Sequence, residues 1–349
     1  MDTNPVRRVL TGMRTTGQLH LGHYVGALKL WIDAVNEGYD CYLLLADVQA
    51  LTTHADKPEL IQQSVRDVVL DWMAVGLDPT LPNVHFVLQS GVRARFEISQ
   101  YLLMIANLGE IQRNPTIKAE MKNLKIPSMG FMTYPVDQAA DIYMVSPEKI
   151  PGNELVVPVG EDQVPHLEFS RVLARRFNKI YRTSIFLPCR AKVGEIGRLV
   201  GTDGKEKMSK SGGNAICLAD DPEIVKKKIM GLYTDPTRLR VTDPGHIEGN
   251  PLFIYLDAFA TDKAEIDEYK RLYQNGQIGD VPLKKRLAEI VEALLVPMRE
   301  RRAEVENTNV MEHVRRGTAE ASVIADSVLA RMKSAMFLFN LKEEDNGKE

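Results

Sequence analysis

Two short stretches carry residue types that could handle a phosphate-bearing ligand. The first is Thr11-Gly12-Met13-Arg14-Thr15-Thr16-Gly17-Gln18-Leu19-His20-Leu21-Gly22-His23. Its glycines let the backbone approach a flat or anionic ligand closely. A helix opening after it would offer unpaired N–H groups and a partial positive charge to phosphate. His20 and His23, three residues apart, share one helix face and can donate hydrogen bonds to phosphate oxygens. Taken alone, the stretch also reads as a turn with two exposed histidines. The second is Lys207-Met208-Ser209-Lys210-Ser211, preceded by Gly201-Thr202-Asp203-Gly204 and followed by Gly212-Gly213. Two lysines among glycines and serines make a mobile cationic loop. Such a loop can close over a triphosphate and neutralise charge as pyrophosphate leaves. Most Lys-Ser runs are solvated surface loops, so this one too needs its context.

Other chemistries find little support. Cys41, Cys189 and Cys217 are the only cysteines and lie far apart. No Cys-x-x-Cys pair exists, so neither a zinc knuckle nor a disulfide framework is indicated. Cys41 and Cys217 sit in apolar runs and read as buried, inert thiols in a reducing compartment. The formal net charge of −3 over 349 residues excludes a generally basic nucleic-acid binder. Any RNA contact must use local patches of Lys and Arg. The short polar start, Met1 to Arg8, has no apolar signal region, and no run is long enough to span a bilayer. We expect a cytoplasmic protein with no membrane association.

The elements that must position the two stretches can be read from apolar patterning. Arg8–Leu10 is a short strand entry ending at Thr11-Gly12, and helical spacing runs from about Val25 to Val35. Cys41–Ala46 is a continuous apolar run, the mark of a strand buried on both faces, with a loop expected from Asp47. Pro58 to Val75 reads as a helix with proline in its first turn and Gly76 past its end. Val84–Leu88 is a strand, Phe96–Leu108 a helix, Leu155–Val159 a strand and Pro165–Phe177 a helix. Alternating strands and helices imply an α/β fold with a mostly parallel sheet, whose ligands bind beyond the carboxyl ends of the strands. From about Asp220 strand signals vanish. Leu287, Ile290, Val291, Leu294, Leu295 and Met298 form one apolar stripe; Ile324, Val328, Met332, Ala335 and Phe339 form another. The second half is expected to be helical.

The pairing of His20-Leu21-Gly22-His23 near the start with Lys207–Ser211 far downstream resembles the HIGH and KMSKS signatures of class I aminoacyl-tRNA synthetases. Three further stretches resemble the tryptophanyl-tRNA synthetase family: Tyr134-Pro135-Val136-Asp137-Gln138-Ala139-Ala140-Asp141-Ile142, Val157-Pro158-Val159-Gly160-Glu161-Asp162-Gln163, and Ser170-Arg171 through Arg176-Phe177-Asn178. The likeness reaches the second half through Lys228-Ile229-Met230 and Tyr233-Thr234-Asp235. It implies a Rossmann-like catalytic domain over residues 1–217 and a helical, anticodon-binding domain over 218–349, the last helix being able to pack back on the first.

The resemblance also implies roles. His20, His23, Lys207 and Lys210 would be catalytic. Arg14, Thr15, Thr16, Gly22, Gly160, Glu161, Asp162, Leu199, Met208, Ser209, Ser211 and, on a weaker match, Lys118 would contact ATP. Asp141, Tyr134, Gln138, Gln163, Val157 and Val159 would contact L-tryptophan. Asp141 would accept from the indole N–H. A buried carboxylate is costly unless paired, and the indole nitrogen only donates. ATP would arrive with Mg²⁺ carried by its phosphates, with no protein-bound metal. The partners implied are tRNA(Trp) and a second copy of the chain, docked through an apolar helix near Phe96–Ile111. Candidate RNA-facing cations are Lys226–Lys228, Arg238 with Arg240, Lys284–Arg286, Arg299 with Arg301 and Arg302, and Arg315 with Arg316; most such pairs are solvated faces.

Departures from the family pattern bear on the pocket. Gln138 stands where many members have Met, and Arg14 where many have Gln. Residues 146–155 are longer than in the common bacterial form, and His-Leu-Gly-His replaces the Thr-Ile-Gly-Asn of many bacterial members. These features resemble a divergent, sometimes auxiliary, branch. The alternatives are a tyrosyl-tRNA synthetase, a nucleotidyltransferase acting on a small acid, and a synthetase-like regulatory protein without catalysis.

Overall fold

The computed structural model describes residues 5–122, 126–194, 199–204, 208–209, 213–235, 238 and 240–339. Among them, five strands form one sheet: β1 (Arg7–Arg14), β2 (Asp40–Ala46), β3 (Val84–Leu88), β4 (Glu154–Val159) and β5 (Arg190–Val193). Their order is β3-β2-β1-β4-β5, every pair parallel. The crossovers are α1 (Leu21–His23), a π-helical turn at Tyr24–Leu28, α2 (Lys29–Asn36), α3 (Asp47–His54), α4 (Pro58–Ala74), α5 (Arg93–Leu103), α6 (Leu108–Arg113), α7 (Pro115–Met121), α8 (Met129–Tyr143) and α9 (Val164–Ile180). After the sheet come α10 (Pro222–Met230), α11 (Pro251–Phe259), α12 (Lys263–Gln274), α13 (Asp280–Glu306) and α14 (Met311–Ala335).

The apolar run of β2 feeds two cores by strict alternation. Cys41, Leu43 and Leu45 join one core with Trp31 and Trp72, while Tyr42 and Leu44 join the other with Phe177 and Phe186. A period of two sends neighbours to opposite faces, and helices cover both, so no polar residue is tolerated in the middle. The first core continues into the second half of the chain through Val225, Tyr255, Leu287, Val291 and Leu295. The last helix, α14, leaves that core after Val314 and crosses to the other one with Ala321, Ala325, Val328 and Met332. It runs against edge strand β3. The Thr318 hydroxyl accepts from Leu88 N–H at 2.9 Å. A Cβ on Gly317 would lie 2.5 Å from the Phe86 carbonyl oxygen, so only glycine lets the helix come this near.

Several elements differ from the sequence reading. β1 runs on through Thr11-Gly12-Met13-Arg14 rather than turning at Gly12. Gly12 pairs with Leu44, and a Cβ there would stand 2.5 Å from the Leu44 carbonyl oxygen. Its glycine thus serves close strand approach, not a turn. Asp47 opens α3 instead of a loop, its acid in the first turn as the helix dipole favours. The helix expected over Phe96–Leu108 breaks in two, because the Asn107 side chain accepts from Gly109 N–H and caps α6. The helix expected from Val25 begins at Leu21 and passes through the π turn. Phe339 lies beyond the end of α14 and is exposed. Strand β5 was not expected at all; Arg-Ala-Lys-Val is short, polar and at the sheet edge.

Candidate active site

The sheet opens where β1 meets β4. Pairing between them stops at Val9↔Val156, although β1 runs to Arg14 and β4 to Val159. The chain crosses to β2 on one side and reaches β4 on the other, so this is the reversal point where parallel sheets bind ligands. Gly12 and Arg14 are exposed although β1 is the central strand, making them the floor of a cleft. The loop after β1 and the turn after β4 form its walls.

The first wall carries the histidine motif. Gly17 adopts φ +110°, which favours glycine, and turns the chain back. Leu19 N–H then donates to Asp71 of α4 at 2.8 Å. Asp71 is wholly buried, and its other oxygen accepts from Arg302 of α13. His20 caps the first turn, its N–H donating to His23 Nδ1 at 3.2 Å, and the two rings stand 3.8 Å apart. The segment that follows the second motif reaches the same place. Leu21 N–H donates to the Ile216 carbonyl at 3.0 Å and Leu218 N–H to the Leu19 carbonyl at 2.9 Å, a short antiparallel bridge centred on His20 and Cys217. Met208 is buried and packs near Gly22, where a Cβ would lie 3.6 Å from the Met208 Cβ. Its N–H donates to the Leu199 carbonyl at 3.1 Å, and Leu199 is buried as well. Lys207, Lys210 and Ser211 lie outside the described residues.

Asn214 organises this segment, and no motif reading had singled it out. Its Oδ1 accepts from Ser209 N–H at 2.8 Å and its Nδ2 donates to Asp203 at 3.1 Å. A Cβ on Gly201 would fall 2.1 Å from that amide nitrogen. In the opposite wall, Gly160 starts the turn Glu161–Gln163, and the Asp162 carbonyl accepts from the Thr116 hydroxyl at 3.0 Å. Lys118 is on the same short helix as Thr116 and is exposed. Thr15 is buried and Thr16 half-buried beside Arg14.

Beside the cleft lies a cavity of about 220 Å³ lined by Val48, Gln49, Leu51, Thr52, Gln89, Arg95, Ser128, Gly130, Tyr134, Asp137, Gln138 and Asp141. Tyr134 donates to Glu120 at 2.9 Å, with His166 Nε2 at 3.1 Å. Burial lowers His166 to about 4, so it is neutral at pH 7 and can donate from Nε2 to the phenol oxygen. Gln138 reaches Gln163 at 3.5 Å, a weak contact linking helix and turn. Asp141 is buried; Arg95 Nε donates to one oxygen at 2.6 Å and Gln89 to the other at 2.7 Å. Burial pushes its carboxyl up to about 6, against the pull of Arg95. Val157 and Val159 are packed into the second core and are not among the cavity's lining residues. A larger groove, about 440 Å³ between Glu110, Arg113, Asn114, Pro115, Val164, Pro165, Glu168 and Phe169, shares no residue with this cavity. Among the described residues, no group of three His, Cys, Asp or Glu could hold a metal ion. No described helix is long and apolar enough to cross a membrane.

Most candidate RNA-facing cations have structural partners. Arg238 donates to the Val241, Asp243 and Ile278 carbonyls, and buried Lys284 to the Leu232 carbonyl at 2.5 Å. Arg286 pairs with Glu265, Arg299 with Glu292, Arg301 with the Ala74 carbonyl and Arg316 with the Pro79 carbonyl. Lys228 pairs with Asp220 at 2.6 Å. Lys226, Lys227 and Arg240 are exposed. In the stretch expected at a dimer interface, Phe96, Met104 and Leu108 are exposed and Ile111 is buried.

A parallel sheet opened at its reversal point, with the histidine motif at its mouth bridged to Ile216–Leu218 and Met208 of the second motif packed near Gly22, is the architecture of a class I synthetase. Residues 2–296 match the family of class I tRNA synthetases (W and Y), and the chain belongs to it. Within that class it is similar to tryptophan–tRNA ligases. A tryptophan–tRNA ligase of Clostridium longisporum is 43% identical, over 94% of this chain and 96% of its own. One of Streptococcus pyogenes serotype M3 is 44% identical, over 96% and 98%. A solved tryptophanyl-tRNA synthetase of Campylobacter jejuni, complexed with ADP and tryptophan, superposes with a TM-score of 0.78 at 31% identity, covering 95% of this chain and all of that one. One of Mycoplasma pneumoniae gives 0.79 at 26% identity, covering 96% and 98%.

Proposed function

We propose that this chain activates L-tryptophan with ATP, forming tryptophanyl-AMP and pyrophosphate, and then transfers tryptophan to tRNA(Trp). The observation that carries this is the joining of the His20–His23 loop to Ile216–Leu218 at the mouth of the sheet, next to the cavity that holds Asp141. The first step needs no protein nucleophile, because the tryptophan carboxylate is already charged at pH 7. The protein must align it with the α-phosphate and stabilise charge on the leaving group. His20, His23, Lys207 and Lys210 supply donors and positive charge to the phosphates; Gly22, Thr15, Thr16 and Arg14 line the approach. Gly160, Glu161, Asp162 and Gln163 take the ribose and face the amino acid. Asp141 accepts from the indole N–H, and Tyr134 and Gln138 shape the rest of the pocket.

ATP enters as its Mg²⁺ complex, the ion held mainly by phosphate oxygens. Residues 1–217 serve as the catalytic domain and 218–349 as the anticodon-binding domain, with α14 returned to the sheet. The working form is a cytoplasmic homodimer, with the exposed Phe96, Met104 and Leu108 as a candidate contact. The test is ATP–pyrophosphate exchange with each of the twenty amino acids in the absence of tRNA. Exchange with tryptophan alone is expected. Exchange with tyrosine would move the chain to the sister specificity, and none at all would favour a regulatory protein.

A further inference from the structure

The polar end of the cavity is organised by Arg95, a residue outside every motif. It is wholly buried on α5 and meets two carboxylates presented by successive turns of α8. Its Nε donates to Asp141 at 2.6 Å and its Nη2 lies 3.4 Å from Asp137. Gln89 holds the other Asp141 oxygen and is itself held by the Gln49 N–H at 3.0 Å. Neither Arg95 Nη1 nor Nη2 has a hydrogen-bond partner among the described residues, so the contact with Asp137 is an ion pair. All five of these side chains line the cavity.

A buried carboxylate such as Asp141, with the partly exposed Asp137 one turn away, does not stay ionised unless a cation sits with it. A protonated Asp141 would offer a donor where an indole N–H needs an acceptor. We propose that Arg95 is a specificity-determining positioning residue: by bridging Asp137 and Asp141 it keeps Asp141 an ionised acceptor at the cavity wall, so that the pocket selects a ring bearing an N–H. This rests on reading the cavity as the tryptophan pocket. The charged and titratable groups around it are Arg95 from α5, Asp137 and Tyr134 from α8, and Asp47 from α3, which acts on Arg95. Burial raises the Asp141 carboxyl to about 6, with Arg95 pulling it down and Asp137 pushing it up.

The experiment is ATP–pyrophosphate exchange from pH 5.5 to 9, with tryptophan and with phenylalanine. The wild type is compared with Arg95→Met, Arg95→Lys, Asp137→Asn and Asp141→Asn, each checked by thermal melting. In the wild type the tryptophan KM should rise as pH falls below about 6 while the ATP KM does not. Arg95→Met should move that rise to higher pH, so that the tryptophan KM at pH 7 is about tenfold higher or more and recovers toward pH 9. Its kcat and ATP KM should stay within about twofold, and its preference for tryptophan over phenylalanine should fall. Arg95→Lys should restore part of the loss. Asp137→Asn should shift the profile the opposite way, which keeps the idea testable if Arg95→Met does not fold. An unchanged tryptophan KM in Arg95→Met, or a pH-independent loss in both substrates with an unshifted Asp137→Asn profile, would overturn the role of Arg95 alone. No effect of Asp141→Asn on the tryptophan KM would sink the pocket reading, and this inference with it.

Discussion

The Asn214 side chain accepts from Ser209 and donates to Asp203, so one buried amide ties together both flanks of the segment bearing Lys207 and Lys210. Replacing it by Ala would remove one bond to the Ser209 backbone and one to the Asp203 carboxylate, each worth roughly 1–3 kcal/mol when a buried partner is stranded. The expected result for Asn214→Ala is slower adenylate formation, about tenfold or more in kcat. Tryptophan affinity, measured by equilibrium dialysis without ATP, should stay near wild type. Equal loss of both would mean that Asn214 supports the whole fold and not the loop. The motif beside it is readable in the sequence only through its pairing with the His20–His23 stretch, since Lys-Ser runs by themselves are common in surface loops. Asn214 is not, because an asparagine after two glycines looks like any loop residue until its partners are known. Gln89 and Arg95 escaped for the same reason, although Gln89 stands just past the end of β3, where ligand-facing residues gather.

The same contrast holds among the elements. Strands β2 and β4 show in the sequence because burial on both faces forces nearly unbroken apolar runs, and β3 shows because His85 is the single polar residue in an otherwise apolar stretch. Strand β5, half-exposed at the edge, had no such constraint. The capping of α6 by Asn107 and the course of β1 through Gly12 depend on contacts across the chain, which periodicity does not encode. One contact of that kind joins the two halves: Arg302 of α13 pairs with Asp71 of α4, which holds the Leu19 N–H one residue before His20. Removing one partner of a buried ion pair strands the other, at a cost of about 3–5 kcal/mol. Arg302→Met should therefore lower the melting temperature and raise the ATP KM more than the tryptophan KM. Steady-state exchange kinetics decide it; a larger change in the tryptophan KM would argue against a path from α13 to the nucleotide loop.

For the molecule as a whole, the attachment of α14 matters most. His85 of β3 lies between Asp40 of β2 at 2.7 Å and Glu320 of α14 at 2.6 Å. Burial lowers the His85 pKa, but hydrogen bonds and charge from Asp40 and Glu320 outweigh it and raise it above 6.5. Burial raises Asp40, yet His85 and Arg8 bring it below 3.8. The raised histidine stabilises the fold fully below 6.5, and that contribution is lost as pH climbs through its folded value. The lowered aspartate stabilises above 3.8, and that is lost as pH falls through its folded value. The melting temperature should hence be highest between about pH 4 and 6.5 as far as this cluster decides it. Glu320→Gln should flatten the alkaline side, by no more than about 3 °C because Glu320 is partly exposed. A melting series whose alkaline slope is the same in both proteins would refute the assignment.

The seal that α14 makes on β3 also sets an order in time. Helix α14 is the last helix described, whereas β3 is complete by Leu88. At about 5–20 residues per second, a ribosome would need roughly ten seconds to a minute to supply it. Throughout that interval the newly made sheet has a bare hydrogen-bonding edge, the kind of surface that recruits a strand from another nascent chain.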